Sequence, residues 1–220
     1  MKDRILGVIF DMDGLMLDTE KLYTRFWKQA AAYYGFEMTD EHILGIRSMA
    51  AKYACVHLKG IFGDSFDYYA VREKRKELMD EYIALNGVEK KNGLDELLTE
   101  LSKRRIKLAV ATTTNRERTG RYLEQTGVIG YFDAIVTGDM IQNGKPSPDI
   151  YLAAAEALGL DCKNCIALED SPNGILSAYR AGCKPVMIPD LSQPDRDTKP
   201  MLYDCFPSLY DFCAKLDVLL

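Results

Sequence analysis

Val8-Ile9-Phe10-Asp11-Met12-Asp13-Gly14 is the stretch from which the fold can be read. An apolar run from Ile5 to Phe10 stops at two carboxylates spaced i, i+2. A short apolar run bounded by a turn residue reads as a strand buried on both faces. Gly14 invites a sharp turn, because glycine takes positive φ at little cost. Two carboxylates therefore sit at the carboxyl end of a buried strand, the edge where open α/β sheets bind ligands. Crowded carboxylates repel each other unless a cation, a proton or a cationic side chain intervenes. A lone Asp-x-Asp would more simply be a solvated acidic loop. Three further clusters, each after or close behind an apolar run, argue against that: Thr112-Thr113-Thr114-Asn115, Gly144-Lys145-Pro146 and Glu169-Asp170.

Downstream of Gly93 the pattern alternates. Helical periodicity covers Leu94 to Arg104, and Lys107 to Ala111 reads as a strand. Asn115 can cap a helix reaching about Gln125, and Asp133 to Thr137 is a short strand. Pro148 suits a first helical position with Ser147 as cap, and Gly159 stops that helix after Leu158. Cys165 to Leu168 is a strand, Asn173 to Ala181 a helix, Lys184 to Ile188 a strand, and Ser208 to Leu219 an amphipathic helix. Between 18 and 85 nothing reads as a strand. One helix runs from 18 to 35, capped by Asp18 or Thr19, and a second from Thr39 or Asp40 towards Leu58, with Gly60 and Gly63 breaking the pattern. A third covers Asp67 to Leu85, and its charged run Arg72 to Glu77 reads as a solvated face. The expected fold is α/β, a Rossmann-like parallel sheet with helices on both faces plus an inserted all-helical cap. Residues 1–16 and 86–220 would form the core and 17–85 the cap.

At 220 residues and 47% hydrophobic, the chain can bury a sizeable core. A net charge of −5 with mixed signs argues against non-specific nucleic-acid binding. No apolar run approaches the ~20 residues of a membrane span, and Met1 leads almost at once into a strand with no signal peptide. A cytoplasmic monomer without nucleic-acid or membrane partners is the expectation. Of six cysteines, Cys162 and Cys165 form a lone CxxC without the further ligands a zinc site wants. It reads as a loop entering a strand, with redox or adventitious metal chemistry as the alternative.

The four clusters together suggest phosphoryl chemistry. Asp11 is a candidate nucleophile, since a carboxylate attacking phosphorus splits one hard step into two. An anionic phosphate needs neutralising, and hard oxygens on Asp11, Glu169 and Asp170 suit Mg²⁺. Glu169 has an alternative role, orienting a water on the metal. The Thr112 hydroxyl and the backbone N–H groups from Thr113 on can hold phosphate oxygens, with Asn115 assisting; helix capping by Thr114 or Asn115 is the simpler reading, and both can hold. Lys145, in a loop stiffened by Pro146 and Pro148, can balance both Asp11 and the transferring group. Arg47 could reach a polar substrate, although an exposed helix arginine is commoner.

Taken in order and spacing, these motifs resemble the haloacid dehalogenase-like hydrolase superfamily, in its β-phosphoglucomutase and phosphoglycolate phosphatase-like branch. The matching residues are Asp11-Met12-Asp13-Gly14-Leu15, Asp18-Thr19-Glu20 and Leu168-Glu169-Asp170-Ser171-Pro172-Asn173-Gly174-Ile175, and the resemblance runs from about 5 to about 190. It implies that the backbone carbonyl of Asp13 also ligates the metal. It further implies that the Asp13 side chain protonates the leaving alcohol and later takes a proton from water. The function expected is a Mg²⁺-dependent phosphatase acting on a small phosphorylated metabolite, a sugar phosphate or related monoester, through an aspartyl phosphate. A hexose-phosphate mutase is the alternative. It is disfavoured because Tyr23 stands where the mutases carry a histidine, and tyrosine, with a pKa of ~10, shuttles protons poorly near neutrality. A dehalogenase would lack Asp13, and in a phosphoacceptor receiver domain the acidic pair would precede the accepting aspartate.

Overall fold

The computed structural model describes residues 4–46 and 51–219. Contacts divide the chain into two compact units, one comprising residues through Asp18 together with Val88 onward, the other Thr19–Gly87.

The first unit is built on a six-stranded sheet of β1 (Gly7–Phe10), β2 (Lys107–Ala111), β3 (Ala134–Val136), β4 (Cys165–Glu169), β5 (Lys184–Met187) and β6 (Asp204–Cys205). The order is β3-β2-β1-β4-β5-β6 and every pairing is parallel. β1 and β4 are buried at every position, which is why they read as unbroken apolar runs. The sheet reverses direction of growth between β1 and β4, the switch point at which open sheets form a crevice. β6 has no counterpart in the sequence reading, since its two residues are exposed and carry no apolar signal.

The all-helical unit contains α1 (Glu20–Tyr33), α2 (Asp40–Ile46), α3 (Ala51–Phe62) and α4 (Tyr68–Asn86). Three expectations need correcting. Gly60 lies inside α3, and the chain turns instead at Gly63, whose φ of +88° suits glycine. Thr19 precedes α1 without a side-chain capping bond. Asp18 faces Lys91 at 3.5 Å. Arg75, within the charged run read as solvated, is only 4% exposed. Its guanidinium lies 4.4 Å from the Tyr23 ring centroid and 5.4 Å from that of Trp27, a cation–π site that covers its charge with aromatic faces.

The remaining helices belong to the first unit: α5 (Leu94–Lys103), α6 (Arg116–Gln125), α7 (Asp149–Leu158), α8 (Pro172–Ala181), α9 (Leu209–Cys213) and α10 (Leu216–Leu219). The last two replace the single closing helix expected from 208 to 219. α7 starts one residue later than expected, with Pro148 in the capping position; the Ser147 hydroxyl donates to Asp149 Oδ1 at 2.5 Å instead of capping a backbone N–H. No helix among the described residues is long and apolar enough to cross a membrane.

Candidate active site

Asp11 follows β1 directly. Its N–H bonds the Leu168 carbonyl of β4 at 3.0 Å, so the two strands stay in register up to the point where the acidic residues begin. The backbone then reverses through Gly14 at φ +87°, with Leu17 N–H returning to the Met12 carbonyl at 3.0 Å. Thr112 leaves β2 on the other side of β1, its N–H on the Val136 carbonyl at 3.1 Å. Glu169 closes β4, and Asp170 follows. Asp11, Thr112, Glu169 and Asp170 thus stand at the carboxyl ends of three adjacent strands, and all four are buried.

Lys145 reaches the same place from a loop. That loop is fixed on α8 by Ser177 Oγ, which donates to the Ser147 carbonyl at 2.6 Å, and by Arg180, which donates to the Pro146 carbonyl at 3.1 Å. The ammonium donates to Asp11 Oδ1, to Glu169 Oε1 at 2.6 Å and to the Ala111 carbonyl at 3.1 Å. Its three donors have three acceptors. Burial alone would lower the Lys145 pKa, but the Asp11 and Glu169 carboxylates outweigh it and hold it above the usual value. Burial pushes the Asp11 carboxyl up to about 8; Lys145 opposes that rise and Glu169 adds to it. The direction follows from one ammonium serving two buried carboxylates.

Glu169 is enclosed on every side. Oε1 accepts from Lys145 and from the Tyr151 hydroxyl at 2.7 Å, while Oε2 accepts from the Asp170 N–H and the Ser171 hydroxyl, each at 3.2 Å. A Cβ on Gly174 would come within 2.0 Å of this carboxylate, so only glycine fits there. Burial and the Glu169 charge hold the Tyr151 phenol well above its ordinary pKa, so it stays a donor. Asp13 is placed by Thr114, whose hydroxyl donates to Asp13 Oδ2 at 2.7 Å, while the Thr112 hydroxyl accepts from the Thr114 N–H at 3.1 Å. Asn115 caps α6, accepting from the Arg118 N–H at 3.0 Å, and Thr113 is exposed beside it. Arg47 lies outside the described residues.

Ligand atoms on Asp11, Glu169 and Asp170 all fall within 4.8 Å of one another. Opposite oxygens around an octahedral Mg²⁺ lie ~4.2 Å apart, so the Asp11 and Asp170 carboxylates are close enough to share one ion. Three carboxylates against one ammonium also leave negative charge that a divalent cation would balance. The residues fit a hard divalent metal.

Tyr151 was absent from the sequence reading, and so was the bond from Thr114 to Asp13. Tyr151 carries the one polar group on the buried face of an Ala- and Leu-rich helix, a signal that pattern analysis absorbs into the core.

A buried acidic cluster stands at the switch point of a parallel sheet, with Lys145 and Thr112 converging on it. The chain belongs to the haloacid dehalogenase-like hydrolase family, whose model matches residues 8–188. Among its relatives are a phosphorylated carbohydrates phosphatase of Thermotoga maritima, 33% identical over 80% of this chain and 81% of that protein, and the fructose-1-phosphate phosphatase YqaB of Escherichia coli, 28% identical over 83% and 95%. A β-phosphoglucomutase structure from Clostridium difficile superposes with a TM-score of 0.76 over 98% of this chain and 95% of the other; at 21% identity it attests the fold. The chain is an enzyme, a phosphoric monoester hydrolase.

Proposed function

We propose that the chain is a Mg²⁺-dependent phosphatase of a small phosphorylated carbohydrate or related monoester, working through a phosphorylated Asp11. The observation that carries this reading is the Lys145 ammonium held between Asp11 and Glu169 beside Asp170, all at one buried sheet edge. The names of the two phosphatase relatives support the substrate class.

In this reading Asp11, Asp170 and the backbone carbonyl of Asp13 hold the metal, which when bound supplies positive charge against the phosphate oxygens. Glu169 adds its charge to the same cluster. Its oxygens already accept four hydrogen bonds, so we assign it to anchoring Lys145 instead of direct ligation. Lys145 screens the Asp11 carboxylate from the incoming anion and stabilises the transferring group. Thr112 presents a buried hydroxyl at the same edge, and the backbone N–H groups after it, with Thr113 and Asn115, are candidates for phosphate contact.

Asp11 attacks phosphorus while Asp13, aimed by Thr114, gives a proton to the departing alcohol. Asp13 then takes a proton from water as water attacks the acyl phosphate. The residues 19–87 unit serves as the inserted cap, where Arg47 would bear on substrate choice. The mutase reading is not favoured, because the relatives that carry the substrate argument are phosphatases and Tyr23 occupies the position expected of a histidine.

The test is a phosphate-release screen over phosphorylated metabolites with Mg²⁺, including β-glucose 1-phosphate with analysis of product isomers. Phosphate released from sugar monoesters is the expected result. Isomerised sugar phosphate with no net phosphate release would instead establish the mutase.

A further inference from the structure

The turn after β3 grips the turn after β2, and the second of these turns holds Asp13. Asp13 Oδ2 accepts from the Thr114 hydroxyl at 2.7 Å, and Oδ1 has no hydrogen-bond partner among the described residues. Thr114 is itself fixed at both ends of its backbone. Its N–H donates to Thr112 Oγ1 at 3.1 Å, and its carbonyl accepts from the Gly138 N–H at 3.0 Å. Two residues on, the Arg116 N–H, first of α6, donates to Asp139 Oδ1 at 3.2 Å. The same Oδ1 accepts the hydroxyl of buried Thr137 at 2.5 Å and so closes the 3₁₀ turn over Gly138–Met140. A Cβ on Gly138 would lie 2.3 Å from the Thr113 carbonyl oxygen, so the two backbones are in contact and only glycine fits.

We propose that Asp139 is a positioning residue for the proton carried by Asp13. Acting through Gly138 and Thr114, it keeps Oδ2 occupied as an acceptor and leaves Oδ1 as the atom that gives and takes the proton. The inference rests on the proton-donor role proposed for Asp13. When the phosphate ester opens, the Oδ1–H bond breaks and its proton goes to the departing alcohol oxygen. When water opens the acyl phosphate, its oxygen bonds phosphorus and its proton returns to Oδ1. Transfer needs heavy atoms roughly 2.6–3.2 Å apart, so a bond that fixes the rotation of the carboxyl bears on the rate.

A plainer role for Asp139 is to satisfy the first N–H of α6, at the positive end of that helix. Asn115 already caps α6 through the Arg118 N–H. The added grip falls on the two residues flanking Asn115, and one of them is the residue that touches Asp13. The Thr137 hydroxyl holds the Asp139 carboxyl below its ordinary pKa, so it is an acceptor at neutral pH.

The test compares phenyl phosphate, whose leaving group needs a proton, with p-nitrophenyl phosphate, whose leaving group needs little. Turnover of the full chain is measured with Mg²⁺ for wild type, Thr114→Val, Thr114→Ser, Asp139→Ala and Asp139→Asn. Thr114→Val and Asp139→Ala should lower kcat about tenfold on phenyl phosphate and less than about threefold on p-nitrophenyl phosphate. KM should change by less than about twofold on either substrate. Thr114→Ser keeps the hydroxyl and Asp139→Asn keeps the acceptor, so each should restore the phenyl phosphate rate. Equal losses on the two substrates would reduce Asp139 to a helix cap and overturn the proposal. So would a phenyl phosphate rate that is unchanged or raised in Thr114→Val. Asp13→Asn in the same series separates the two levels of inference. Leaving-group dependence in Asp13→Asn, with none in Thr114→Val and Asp139→Ala, overturns the positioning role alone. No such dependence in Asp13→Asn removes the acid role of Asp13 and the positioning role with it.

Discussion

Lysines serve both edges of the sheet, in different ways. At the carboxyl edge the Lys145 side chain is 8% exposed and lies between two carboxylates. At the amino edge Lys107 is exposed and donates to the Leu158 carbonyl at 2.5 Å, where α7 ends, and Lys184 donates to the Lys163 carbonyl at 2.7 Å. Aspartates divide in the same way. Asp133 is exposed and accepts the Leu108 N–H at 2.8 Å, finishing a strand, whereas Asp11 is buried against an ammonium and two more acids. The amino edge uses charge to satisfy backbone groups, and each such contact is worth little in water. The carboxyl edge concentrates charge away from water, where it is strong, costly to bury and useful for catalysis.

This contrast predicts a graded series. Asp11→Asn should reduce turnover to background while the protein stays folded, because the amide removes the proposed nucleophile and also relieves a crowded acid; activity and thermal melting together check it. Asp13→Asn should cost ~10²–10⁴-fold with alkyl phosphates, the usual size of general acid–base catalysis. The loss should shrink with p-nitrophenyl phosphate, whose leaving group needs little protonation, and equal losses on the two substrates would remove Asp13 from that role.

Asp11 also sets a pH dependence. Its folded-state pKa is raised to about 8 from an ordinary 3.8, so between those values the folded protein holds a proton that the unfolded chain has released. In chelator, that contribution to stability is present below the lower value and lost as pH rises through the upper one. In the proposed site Mg²⁺ takes the ionised form of Asp11, so the melting-temperature gain from added Mg²⁺ should grow from about pH 6 to about pH 8 and then level. A gain independent of pH would separate Asp11 from the metal.

Tyr151→Phe removes one donor from the buried Glu169 carboxylate and should destabilise by about 1–3 kcal/mol. Because Lys145 shares that oxygen, kcat should fall with KM little changed; a loss of stability alone would make Tyr151 a packing residue. Smallest of all, Lys107→Met should cost no more than about 1 kcal/mol and leave activity untouched.

The buried edge was the more legible one. Strands covered on both faces leave unbroken apolar runs, and acids placed immediately after such runs stand out, as Asp11 and Glu169 do. The Asn115 cap was legible because capping is local. Contacts made across the fold were not. Arg75 sits in a charged run and is nevertheless buried, because the rings that cover it come from another helix. Tyr151 reads as one more core aromatic until Glu169, 18 residues away, is placed against it. β6 is too short and too exposed to carry a pattern.

Covalent phosphate on Asp11 separates the proposed chemistry from its rivals. The protein is mixed with p-nitrophenyl phosphate and Mg²⁺, quenched during turnover and reduced with borohydride, which converts a phosphorylated aspartate to homoserine. Cleavage after Arg4 and Lys21 yields one peptide holding both Asp11 and Asp13, and fragmentation locates the change. The prediction is homoserine at Asp11 alone, dependent on Mg²⁺ and accumulating further in Asp13→Asn. Homoserine at Asp13, or turnover with neither residue modified at any quench time, would contradict it.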